Sequence, residues 1–208
     1  ERVIDLWAGA AAVLALLGVE SAFPVEARAA AHAGTALMFA SAFAWRGWRV
    51  LRYASLAAAA IAIAHALSPP LTGAALAGQI PIWGALVVLL VAALFLFGAG
   101  YFLSAGSIAF GEVLSIAGAS TILIGAALLL RRFGAHPSMA YAVVVIGAAI
   151  FARWRAPGVY MTIVAPLVRG PVAWLARTYR LGPKPTDLVN VTPAARREKR
   201  YGRRQRSQ

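Results

Sequence analysis

The chain has 208 residues, 61% of them apolar, a mean hydropathy of +0.74, and twenty Lys and Arg against seven Asp and Glu. Ordinary soluble domains are about 45–50% apolar, so this composition excludes a water-soluble globule and points to an all-α, polytopic integral membrane protein. Cysteine is absent, which excludes a disulfide framework, a thiolate metal site and a cysteine nucleophile.

Six stretches read as membrane helices, near residues 3–23, 29–45, 52–68, 82–103, 108–130 and 136–153. The chain opens on Glu1, so N-terminal processing is expected. Leu6 to Val19 has the length of a signal h-region but lacks a basic flank, so it reads as a retained span. Pro24 separates the first two helices, and Arg46-Gly47-Trp48-Arg49-Val50-Leu51-Arg52 forms a charged turn. From Tyr53 to Leu130 the one formally charged side chain is Glu112. Ser68-Pro69-Pro70 ends the third helix, because proline lacks an N–H and disfavours helix before it. Residues 71–81 read as a loop or a re-entrant piece, and the stretch 104–130 leaves room for a re-entrant arrangement as well. Arg131-Arg132-Phe133-Gly134 closes the fifth helix. Trp7, Trp45, Trp48, Trp83 and Trp154 fall at predicted helix ends, where amphipathic rings prefer to sit.

The transmembrane domain is thus expected over 1–155, followed by an interfacial amphipathic segment at 156–182 and a basic cytoplasmic tail at 183–208. Val172, Leu175 and Tyr179 recur at helical spacing with Arg177 and Arg180 on another face, as in a helix lying in the interface. The tail carries Arg196, Arg197, Lys199, Arg200, Arg203, Arg204 and Arg206 against Glu198. These side chains, with Arg131 and Arg132, are candidates for binding anionic headgroups or an acidic partner. Nucleic acid is not expected, since the tail interleaves a single aromatic residue, Tyr201. Arginine near span ends favours the cytoplasmic side, which places Arg46–Arg52 and both termini on the cytoplasmic face of the cytoplasmic (inner) membrane. The Arg131–Arg132 pair runs against that rule by falling outside.

Two constellations could carry chemistry. His32 lies as far before Arg49 as His65 lies after it, to within one residue, so an antiparallel hairpin brings both to one depth. Small neighbours on both helices would leave room for a b-type haem held by two imidazoles. Glu112 is the carboxylate within the long apolar run and is a candidate ion-linked group. No metal-ion site is expected. The motifs of several membrane-enzyme families are missing, including the Gly-x-Ser-Gly turn of rhomboid-type proteases and the aspartate cluster of CDP-alcohol phosphotransferases. The reading that remains is a non-catalytic subunit of a larger membrane complex. Its alternatives are a haem- and quinone-linked electron carrier using His32 and His65, and a transporter or channel component using Glu112.

Overall fold

Proline and glycine divide the described residues into six long helices, most of them joined by short turns. The computed structural model describes residues 2–159, which lie in one compact unit, Glu1–Val164. The helices are α1 (Arg2–Ala22), α2 (Arg28–Arg46), α3 (Arg49–Leu67), α4 (Ile82–Ser104), α5 (Ile108–Arg132) and α6 (Pro137–Arg155). No strand occurs among the described residues. Every boundary falls within a few residues of its sequence-based position. Gly47 explains one of them: it adopts φ +73°, and its N–H closes on the carbonyl of Phe43 at 2.7 Å, so α2 stops there.

Five of these helical stretches are long and apolar enough to cross a membrane: Val3–Ala22, Arg49–Leu76, Ile82–Ser104, Ile108–Arg132 and Pro137–Arg155. The sequence reading expected six. The difference is α2, which has the length but carries Arg28, His32, Gly34, Thr35, Ser41 and Arg46 among its 19 residues. It tolerates them because it is wrapped by neighbours, packing chiefly on α3 and α4. His32 and Thr35 are buried there, as are Ala29, Ala33, Ala36, Phe39 and Ala40.

The centre of the unit is α2, α3, α4 and α5, with α1 against α3 and α2, and α6 against α5. The core is largely alanine, with Leu51, Leu96, Leu103 and Leu114 filling the gaps. Such small residues let helix axes approach closely. The tightest approach joins α4 to α5. A Cβ on Gly111 would stand 2.7 Å from the carbonyl oxygen of Gly100, and one on Gly100 would stand 2.9 Å from that of Gly111. Ser55 adds a polar link, donating from α3 to the carbonyl of Ala36 on α2 at 2.8 Å.

The segment read as a loop or re-entrant piece is ordered as an elbow. A π-helical turn, Pro69–Gly73, runs into a single helical turn, Ala74–Leu76. Leu71 and Ala75 are buried against Ala29, Ala66, Ala85, Leu89, Ile124 and Leu128. The elbow therefore closes one end of the bundle, the end at which α1 finishes and α2 begins.

Candidate functional site

Three helix ends converge beside that elbow. Glu20 comes from the last turn of α1, His32 from the second turn of α2 and His65 from the last turn of α3. The antiparallel α2–α3 hairpin sets the depth of the two histidines, as the spacing about Arg49 implies. Their rings stack, with centroids 5.4 Å apart and planes 4° from parallel.

Glu20 supplies what the spacing alone could not show. Its Oε1 lies 2.9 Å from Nε2 of His32 and 2.7 Å from Nε2 of His65. With Nε2 protonated on each ring, both imidazoles donate to the same carboxylate oxygen. The other oxygen, Oε2, pairs with Nη1 of Arg28 at 2.8 Å. Arg28 is in turn held by Nε, which donates to the carbonyl of Phe23 at 3.2 Å. The negative charge is thus matched by a guanidinium, and its lone pairs are filled from three sides.

Burial grades across the cluster. The His32 side chain is fully buried, His65 is 20% exposed, Arg28 25% and Glu20 37%. The His32 Nδ1 is buried with no hydrogen-bond partner. Nothing polar therefore holds that edge of the ring, and its orientation is set by the Nε2 edge that faces Glu20.

The three groups form a two-histidine, one-carboxylate set whose candidate ligand atoms lie within 4.8 Å of one another. Sequence spacing pairs the histidines but leaves Glu20 only as one of seven acids. A signal was available. Glu20 is a carboxylate in an otherwise apolar stretch, a few residues before Pro24 and a turn with Arg28 beyond it. Carboxylates placed so need a partner.

For a haem, two axial imidazoles would approach iron from opposite faces of a macrocycle. Here both Nε2 atoms reach one carboxylate oxygen instead, so a haem between them requires Glu20 to withdraw.

The remaining sequence-derived residues sit elsewhere. Glu112 lies in the second turn of α5, at the opposite end of the bundle. Its Oε2 accepts from the backbone N–H of Val159 at 3.4 Å, in the helical turn Pro157–Val159 that follows α6. Arg131 and Arg132 end α5, where cations complement the helix dipole. Nη1 of Arg131 donates to the carbonyl of Ala135 at 2.9 Å. His136 caps α6, its Nδ1 accepting from the N–H of Ser138 at 3.4 Å. Arg177, Arg180, Arg196, Arg197, Lys199, Arg200, Arg203, Arg204 and Arg206, with most of the 156–182 segment and all of the tail, lie outside the described residues.

Many of the hydroxyls are directed to backbone carbonyls. Ser21, Thr35, Ser41, Ser68, Thr72, Ser104, Ser115 and Thr121 each donate to a carbonyl three or four residues earlier on the chain. No family model, curated protein or solved structure matches the chain.

Proposed function

We propose that this chain is a multi-pass protein of the cytoplasmic membrane that serves as a non-catalytic subunit of a larger assembly. One observation carries the reading: the flanking helices turn large apolar faces outward while burying almost only alanine. On α1, Leu6, Trp7, Leu14 and Leu17 are each at least 60% exposed, whereas Ala8, Ala12 and Val19 are its buried residues. On α6, Tyr141, Val145, Ile146 and Ile150 face outward, with Ala140 and Ala152 buried. Continuous apolar surface of this kind belongs against lipid or against other helices.

In this arrangement all six helices cross. α2 crosses as an interior helix, shielded from lipid by α3 and α4. The turns at 46–52 and 105–107 face the cytoplasm together with Arg153 and Arg155. Trp45, Trp48 and Trp154 gather at that end, with Arg46 3.9 Å above the Trp45 ring and Arg155 5.5 Å from that of Trp154.

The test is purification of the full chain from its own membranes in mild detergent, with the mass of the intact particle measured. A particle with other polypeptides in fixed ratio is expected, and a lone monomer as the sole species overturns the reading. A second reading, a b-type haem carrier, rests on His32 and His65 meeting at one depth, and it needs Glu20 to withdraw and the stacked rings to part. A Soret band that disappears in His65→Leu would support it, and a protein without visible absorbance would end it.

A further inference from the structure

We propose that Glu20, His32 and His65 hold one divalent transition-metal ion of the zinc class. This inference stands apart from the subunit reading, since a subunit can carry such an ion or lack it.

Three observations lead to it. First, three ligand groups from three different helices meet at one point, with the two Nε2 atoms 2.9 and 2.7 Å from a shared carboxylate oxygen. Zinc bonds to imidazole nitrogen and carboxylate oxygen are about 2.0–2.1 Å long. Two such ligands stand about 2.9 Å apart at a right angle and about 3.4 Å apart at a tetrahedral angle. Each nitrogen–oxygen pair is therefore near right-angle spacing and parts by about half an ångström for a tetrahedral ion, while the ligand atoms, which lie within 4.8 Å of one another, close around it.

Second, the imidazoles are fixed in direction. The His32 ring is buried and stacked on His65, and its Nε2 lies 2.9 Å from Oε1 of Glu20. Its Nε2 edge is thus the one presented to the cluster. Such preorganisation favours an ion, because ligand side chains then lose little freedom on binding.

Third, the protein covers one side of the point and leaves another open. Glu20 and His65 are partly exposed while His32 is not. Three protein ligands with an open position suit an ion that also takes a water or a small ligand, unlike closed structural sites with four. Arg28 stays on Oε2 and fixes which carboxylate oxygen faces the imidazoles, an orienting role common around metal sites. Two nitrogens and one oxygen select borderline ions such as Zn²⁺, Co²⁺ or Fe²⁺ over Ca²⁺ or Mg²⁺, which prefer all-oxygen shells.

The experiment uses the full chain in detergent, purified through a tag without histidine and stripped with chelator, and the probes are Co²⁺ and Zn²⁺ alone. Expected are one Co²⁺ per chain, a visible d–d band, and two exchangeable, paramagnetically shifted imidazole N–H signals. Zn²⁺ should displace the Co²⁺. His32→Gln, His65→Gln and Glu20→Gln should each weaken binding at least tenfold, whereas His136→Gln should leave it unchanged. The count of imidazole signals in the parent tests the site even if a variant fails to fold. No stoichiometric Co²⁺ uptake by the parent, a spectrum with no imidazole ligand, or undiminished binding by all three site variants would overturn the proposal.

Discussion

Replacing Glu20 by Leu removes the acceptor that three side chains share, and the structure sets the size of the loss. His32 is fully buried, so its Nε2–H has no water to turn to. An orphaned buried donor costs about 1–3 kcal/mol in general, and interhelical hydrogen bonds in membranes reach at most about 1.7 kcal/mol. About 1.5 kcal/mol is assigned to it on those grounds. His65, one-fifth exposed, is nearer the membrane average of about 0.6 kcal/mol. The Arg28 pair is partly wetted on both sides and adds no more than about 0.5 kcal/mol. The expected destabilisation is about 2–3 kcal/mol, roughly a 30- to 150-fold shift in the unfolding equilibrium. Reversible unfolding in mixed micelles, followed by tryptophan fluorescence, measures it. The double variant Glu20→Leu/His32→Leu should be more stable than Glu20→Leu by at least about 1 kcal/mol, since it removes the orphaned donor as well. A Glu20→Leu protein within about 0.5 kcal/mol of the parent would refute the reasoning, as would a double variant less stable than the single one.

Two further outcomes are expected. Gly111→Val places a branched side chain where even a Cβ would meet the Gly100 carbonyl at 2.7 Å, so α4 and α5 must separate. A loss of about 2–3 kcal/mol is expected in the same unfolding assay, and a variant as stable as the parent would show that the helices do not cross so closely. Glu112→Gln keeps an oxygen for the Val159 amide, so stability should change by less than about 0.5 kcal/mol. Ion flux in proteoliposomes should be equal for the two proteins; flux present in the parent and lost in Glu112→Gln would instead make Glu112 an ion-linked group.

Much of this was legible in the residues, for identifiable reasons. Helix limits follow from Pro24, Gly47, Pro69 and Gly134, whose backbone constraints act locally. The meeting of His32 with His65 follows from the symmetry of one hairpin about Arg49. Glu20 was not legible as their partner, because its place depends on how α1 leans across two other helices, and no local pattern encodes that. Nor does sequence show that Glu112 serves a backbone amide 47 residues away. The apolarity of α2 falls short of a lipid-facing span because α3 and α4 cover it, so its polar residues answer to packing rather than to lipid.

Single cysteines in this cysteine-free chain test the central claim most directly. Phe23→Cys, Trp48→Cys and Phe133→Cys place a thiol in three turns, to be challenged with a membrane-impermeant reagent in intact cells and after permeabilisation. If every helix crosses, the thiols at 23 and 133 react in intact cells and the one at 48 reacts only once the membrane is opened. Labelling of 23 and 48 from the same side would mean that α2 does not cross, and extraction of the protein by alkaline carbonate would mean that the helices do not lie in the bilayer at all.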